Sequence, residues 1–265
     1  MSILSLSPLD LAIASILILI LALLSHLERL GIARTILWSA VRMAIQLMAI
    51  GVVLKALFED LHPAWMIVMA SIMLGVSGRE VSKRQKQRFQ KGWSYGIGTG
   101  SMFFSSFIVT AVAIFIVIQP DPWYTPQYLI PLLGMMLGNT MTAVSLGMDR
   151  LIQDVARDRM TVEARLLAGE SWQQAITPYA QDAVRTGLIP TINSMAAAGL
   201  VSLPGMMTGQ ILGGNPPMLA VGYQILVMFM IAAGAGFGTI FSVKMASRRL
   251  FDERHRLRLD RLHKP

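Results

Sequence analysis

Cysteine is absent from this chain of 265 residues, which removes disulfides, Cys-ligated metals and thiol nucleophiles from consideration. Charge is scarce as well: Asp, Glu, Lys and Arg make up 14% of the residues, where soluble chains average about 25%, so an ordinary soluble domain is excluded. Histidine occurs only at His26, His62, His255 and His263, at the edge of or outside the apolar runs and without the HExxH spacing of a zinc hydrolase. No GxxxxGK[ST] segment occurs, so the chain carries no loop that cradles nucleotide phosphates.

What is abundant is apolar sequence in long runs. Hydrophobic residues make up 54% and the mean hydropathy is +0.56. A bilayer core about 30 Å thick needs roughly 20 apolar residues of helix. Seven segments meet or approach that length, at about 9–27, 36–57, 63–78, 93–118, 128–148, 188–204 and 218–243. Lipid offers the backbone no hydrogen-bond partners, so these segments are expected to be helices. Pro8, Pro63, Pro190 and Pro217 fall near segment starts, where a missing N–H is tolerated. The expectation is an all-α, polytopic integral membrane protein of about seven transmembrane helices, with no internal repeat to divide residues 1–265 into more than one domain.

The basic residues orient it. Of the 23 Lys and Arg residues, 21 lie in 28–35, 79–92, 149–187 and 244–265, while 1–8, 58–62, 119–127 and 205–217 contain none. Cytoplasmic loops collect Lys and Arg, so the N-terminus is expected outside and the C-terminus inside. The first segment has no basic residue before it and no small-x-small cleavage pattern, and reads as a retained helix rather than a signal peptide. The formal charge of +8 then belongs to one face of a membrane. No nucleic-acid partner is required; the run SKRQKQRFQK at 82–91 reads as an orientation-setting loop beside lipid.

The loop 149–187 is longer than a connection needs, and the tail 244–265 is strongly basic. Within the loop, Thr161 and Glu163 suit a helix start, Gly169 a helix end, and Ser171 with Gln174 the start of the next helix. The pattern is helix, Gly turn, helix, an arrangement suited to docking.

Here VEARLLAGESWQQA at 162–175 resembles the short EAA loop of ABC-transporter permeases, a Glu-Ala-Ala, three residues, then Gly; Glu163, Ala164 and Gly169 match in type and spacing, while Arg165 stands at the second Ala position. The segments PLLGMMLGNTMTAVSLGMDRL at 131–151, GLIPTINSMAAAGLVSLPGMMTGQILGGNPP at 187–217 and AVGYQILVMFMI at 220–231 resemble those of the FetB family, bacterial iron-export ABC permeases with plant relatives linked to aluminium tolerance. The resemblance implies a multi-pass permease of the bacterial cytoplasmic (inner) membrane, acting in metal homeostasis as a homodimer with a separate ATPase subunit. That subunit would bind ATP and Mg, with no cofactor on this chain. Glu163, Ala164, Gly169 and Trp172 become the expected ATPase-coupling residues, Trp172 as a large anchor for a groove on the ATPase.

Polar groups inside apolar segments are the remaining candidates. Arg42 and Gln46 share a face of the second segment, and an Arg in hydrocarbon costs about 2.5–3.5 kcal/mol on insertion scales. Asn139, Thr140 and Thr142, with Asn193 and Ser194, are the other polar positions at depth. Helix-to-helix hydrogen bonding is their commoner use; a transport pathway through Arg42, Gln46, Asn139, Thr142 and Asn193 is the functional reading. Gly96 and Gly100, Gly134 and Gly138, and Gly234 and Gly238 are spaced for close helix contact. Met66, Met69 and Met73 share a face and read chiefly as flexible apolar filler. Carboxylate and imidazole ligands for bare Fe(II) are missing from the membrane core, Asp10 and His26 lying at the ends of the first segment, so the metal ligands are unknown. An anionic or chelated cargo, such as a nucleotide sugar, is the alternative within transport. An intramembrane lipid-modifying enzyme would need positioned acids, bases or a metal, and the sequence shows no paired acidic cluster or His-rich motif.

Overall fold

The computed structural model describes residues 7–59 and 62–263. Parts of two connections free of Lys and Arg, 1–6 and 60–61, and the last two residues of the basic tail lie outside the described residues. Where the sequence offers no internal boundary, the packing distinguishes two compact units: residues 1–62 with 212–214, and residues 63–211 with 215–265.

The first unit is a pair of helices, α1 (Pro8–Leu27) and α2 (Ala33–Glu59), packed on each other. Ser7 starts α1 with a capping box: its hydroxyl accepts from the Asp10 N–H at 3.3 Å, and its own N–H donates to the Asp10 carboxylate at 2.8 Å. Two of the orphan N–H groups of the first turn are thereby satisfied. Gly31, at φ +73°, makes the turn between the helices.

The second unit is a bundle around α6 (Pro126–Arg157), which packs on α3 (Pro63–Arg84), α4 (Trp93–Met102), α8 (Trp172–Ala197) and α10 (Pro217–Leu250). The α4 segment continues through a π turn at Phe103–Phe107, α5 (Ile108–Val112) and a second π turn at Ala113–Ile118. Beyond α6 come α7 (Arg159–Leu167) and, after α8, the short α9 (Gly205–Leu212). At 1.5 Å per residue α6 and α10 are each roughly 50 Å long, so both outrun a bilayer core of about 30 Å.

Small residues set how closely the helices approach. A Cβ on Gly238 of α10 would lie 2.6 Å from Thr140 Cγ2 and 2.8 Å from Ser105 Oγ, so the expected contact at Gly234 and Gly238 is made, against α6 and the first π turn. Gly134 meets Met73 of α3, which gives Met73 the filler role. Gly96, Gly100 and Gly138 have nothing within 4 Å of a would-be Cβ. The tightest backbone approach is one the spacing did not signal: a Cβ on Gly187 of α8 would sit 2.7 Å from the Ala143 carbonyl oxygen of α6.

Among the described residues, six helical stretches are long and apolar enough to cross a membrane: Leu9–Leu27, Ala33–Glu59, Pro63–Arg84, Trp93–Ile118, Pro126–Arg157 and Pro217–Leu250. The seventh expected span, 188–204, is not a helix of its own. It is divided between the last turns of α8 and a non-helical turn, because Ala198 leaves the helix at ψ 129° and Gly199 adopts φ +84°. Pro190 accordingly lies inside α8 rather than at a helix start.

Candidate functional site

The segment 149–187 is helical nearly throughout. The last two turns of α6 carry Asp149–Arg157, α7 follows after Asp158, and α8 begins at Trp172. Buried Asp154 holds Arg150 at 2.7 Å and Arg157 at 3.1 Å, and Arg150 also reaches Asp182 of α8 at 2.9 Å, so the end of α6 is tied to the base of α8.

The turn between α7 and α8 is closed in two ways. Gly169 sits at φ +92°, its N–H donates to the Leu166 carbonyl, and the Glu170 N–H donates to the Arg165 carbonyl. That is a Schellman ending, which a left-handed glycine permits. Ser171 then opens α8 with a capping box to Gln174. Arg165, the departure from the EAA pattern, spans the turn: its guanidinium donates to the Ala175 and Gln174 carbonyl oxygens at 3.1 and 3.2 Å and pairs with Glu170 at 2.8 Å. Only a forked cation serves three acceptors in this way. Glu163 pairs with Arg159 one turn back at 2.8 Å, and Ala164 is exposed.

Trp172 is half-buried and stacks on Phe251, the residue that ends α10. The large apolar side chains that this hairpin presents are instead Met160 and Leu167, 79% and 89% exposed. From Phe251 the chain returns as a strap. The Trp172 N–H donates to His255 Nδ1 at 3.3 Å, Arg261 donates to the Arg249 and Phe251 carbonyls, and Gln90 of the 85–92 loop donates to the Asp260 and Leu262 carbonyls. Asp252 accepts from the Arg256 and Arg254 backbone N–H groups, which with the Arg256 guanidinium hold its carboxyl at about 2. Hydrogen bonding to Arg258 lowers Asp260 likewise to about 2. The strap joins the 85–92 loop to the start of α8. Sequence reasoning missed it, because no local pattern links Trp172 with Phe251 or Gln90 with Leu262.

The second concentration of polar groups lies where α8 breaks. After Ala197 the chain folds back on itself, with the Gly199 N–H donating to the Ser202 carbonyl and the Val201 and Ser202 N–H groups to the Ala197 carbonyl. Leu200 and Val201 at the tip are 92% and 86% exposed. The first turn of α9 is held by buried Gln224 of α10, whose side-chain oxygen accepts from the Met207 N–H at 3.3 Å. A cavity of about 490 Å³ opens beside this break, lined by Asn139 of α6, by Thr191, Asn193 and Ser194 of α8, and by Gln224.

The structure therefore brings Asn139 and Asn193 to one cavity. Asn139 is exposed there, its amide donating to its own helix at the Met135 carbonyl, 2.8 Å away. Thr142, one turn on, donates to the Gly138 carbonyl and accepts from Arg84 of α3 at 3.4 Å. Thr140 points the other way and is fully buried against Gly238. Arg42, half-buried, and Gln46, exposed, stand on α2 in the other unit. Among the described residues no group of three or more His, Asp or Glu side chains could hold a metal ion.

Long apolar helices, one discontinuous segment lined with amides and hydroxyls, and a charged hairpin beyond the end of α6 define the class: a polytopic, all-α membrane protein. The chain belongs to the UPF0014 family, described as an uncharacterised protein family, whose pattern matches residues 8–251. It is 37% identical over 234 residues to the UPF0014 membrane protein slr1647 of Synechocystis, covering 87% of this chain and 88% of that one. It is 34% identical over 260 residues to the "Probable iron export permease protein FetB" of Escherichia coli, covering 96% of each. The Arabidopsis thaliana "Protein ALUMINUM SENSITIVE 3" is 30% identical over 250 residues, covering 93% of this chain and 88% of its relative. No solved structure gives a significant match.

Proposed function

We propose that this chain is the membrane subunit of an ABC-type exporter of a metal cargo, working in the bacterial inner membrane as a homodimer with a separate ATPase that supplies ATP and Mg chemistry. The observation that carries the reading is the α7–α8 hairpin. It stands past the end of a helix about 50 Å long, is closed by the Schellman turn and Arg165, and presents Met160 and Leu167 to a partner. A partner that closes on ATP can push on such a hairpin and move α8, which is tied to α6 through Arg150 and Asp182. The relatives named for iron export and aluminium sensitivity suggest the cargo.

A second copy is favoured by α6. Its residues Asn139, Thr142, Leu146, Arg150, Gln153 and Arg157 share one face and are exposed or half-buried along the second half of the helix. Amide and hydroxyl groups facing hydrocarbon are costly, so the stripe belongs against water or another protein surface. Two such stripes facing each other enclose a pathway. In this reading the basic loops face the cytoplasm and α8, the turn and α9 together make the seventh crossing. Such broken crossings are where many transporters bind cargo.

The cavity at the break favours a second reading of the cargo. Its amides, hydroxyls and thioethers include no carboxylate or imidazole, which suits a chelated species that brings its own metal ligands better than bare Fe(II); an anionic cargo such as a nucleotide sugar would need its counter-charge from elsewhere, since no Lys or Arg lines the cavity. Reconstitution of the chain with its ATPase, screened for ATP hydrolysis stimulated by free metals, metal chelates and nucleotide sugars, tests both readings. Stimulation by free Fe(II) alone removes the chelate reading; a chain that assembles with no ATPase removes the exporter.

A further inference from the structure

Two cavities lie in series along α6 and α10. The first, about 280 Å³, is lined near the starts of these helices by Gln127, Tyr128, Asn215 and Tyr223, with Gln210 of α9. The second is the cavity of about 490 Å³ at the broken crossing, further along the same helices at Asn139 and Gln224. From Tyr128 to Asn139 the rise is about 16 Å. Met135 of α6 and Met206 of α9 line both cavities. A pair of thioether side chains therefore stands between two compartments, each lined by amide and hydroxyl groups among apolar side chains.

The two methionines are held very differently. Met135 rides on the central helix of the bundle. Met206 sits on an eight-residue helix none of whose residues is buried. The hydrogen bond from the Met207 N–H to Gln224 ties α9 to α10. Gly205 and Gly209 have open space where a Cβ would stand, so that one side of α9 is unpacked, while Met206 on its other side rests against the cluster of Leu132, Met136 and Val227. Thioethers are apolar and flexible, and an apolar constriction between wet compartments blocks passage by excluding water.

We propose that Met135 and Met206 form the barrier between the cargo compartment at Asn139 and Asn193 and the vestibule at the starts of α6 and α10, and that displacement of α9 opens it. The proposal rests on the transport reading above. It makes the methionine pair the element past which any cargo must move, and it makes Gln224 the residue that holds the barrier shut.

The native chain contains no cysteine, so single cysteines can be placed in the full-length protein without background. Asn215→Cys reports the vestibule and Asn193→Cys the inner compartment. Each is exposed in membranes to a charged, impermeant methanethiosulfonate from either face. Asn215→Cys reacts rapidly from the vestibule face, and Asn193→Cys reacts there about tenfold more slowly, the factor given by a barrier of about 1.4 kcal/mol. Met206→Ala brings the Asn193→Cys rate close to that of Asn215→Cys, Met135→Ala does the same as a second variant, and Met228→Ala, which lines the inner cavity only, leaves it slow. If Asn193→Cys already reacts as fast as Asn215→Cys with both methionines in place, the barrier is refuted while the pathway stands. If Asn193→Cys is unreactive from both faces in every variant, no aqueous pathway passes this cavity, and the proposal falls with the pathway beneath it.

Discussion

Trp172 rests on Phe251, ring centroids 5.6 Å apart and planes 27° from parallel. The first residue of α8 is thus supported by the residue that ends α10, and the α7–α8 turn is joined to α10 and the strap through this contact. Phe251→Ala removes a side chain that is 4% exposed. A buried Phe→Ala change costs about 3–5 kcal/mol, and because this one sits at the edge of the bundle the loss is expected to open the strap rather than unfold the helices. Amide exchange should accelerate in 252–263 and around 168–175, with the membrane helices unaffected. Phe251→Leu should keep most of the protection.

Arg165 serves three acceptors across the hairpin turn. Arg165→Ala leaves the Gln174 and Ala175 carbonyls and Glu170 without it, a local loss of about 1–2 kcal/mol for a partly exposed group. Arg165→Lys should not restore the turn, because an ammonium cannot span the fork. Proteolysis between 165 and 175 should rise in both variants, and an increase in Arg165→Ala alone would reduce the guanidinium to a mere charge.

Gly187→Ala drives a Cβ to 2.7 Å from a backbone oxygen of α6. Overpacking of this kind costs about 1–3 kcal/mol, so the variant should melt several degrees below the parent. Gly222→Ala on α10, with nothing within 4 Å, should match the parent or exceed it slightly.

The carboxyls of Asp252 and Asp260 are both lowered from 3.8 to about 2 in the folded strap. A depressed carboxyl stabilises the fold fully above its unfolded value and loses that contribution as pH falls through the folded one. The strap should therefore keep its amide protection down to about pH 4 and lose it toward pH 2. Asp252→Asn should show weaker protection at neutral pH and a smaller acid transition.

The lopsided distribution of Lys and Arg predicts that a reporter fused after residue 263 behaves as cytoplasmic and one inserted near Asp121 as external. Reversal of either signal removes the proposed orientation, and with it the placement of the α7–α8 hairpin beside a cytoplasmic ATPase.

The sequence alone determined which stretches are apolar and long enough to be membrane helices, because helix length against bilayer thickness is a local property. It also determined the Gly169 turn and the Ser171 cap of α8, which depend on residues three or four apart; the start expected at Thr161 lies instead at Arg159, after Asp158 and without a side-chain cap, because α6 runs on to Arg157 and leaves only that residue between the helices. Its resemblance to the FetB family lay equally within contiguous segments. The division of 188–204 was harder to read, since an apolar run looks the same whether the backbone continues as helix or turns at Gly199. Only the tertiary structure decided which polar residues share a cavity, that Thr140 is buried against Gly238 while Asn139 one residue earlier is exposed, and that Trp172 leans on Phe251. Those relationships join residues far apart in the chain, and they follow from how closely small residues such as Gly187 and Gly238 let the helices approach. No periodicity within a single helix carries that information.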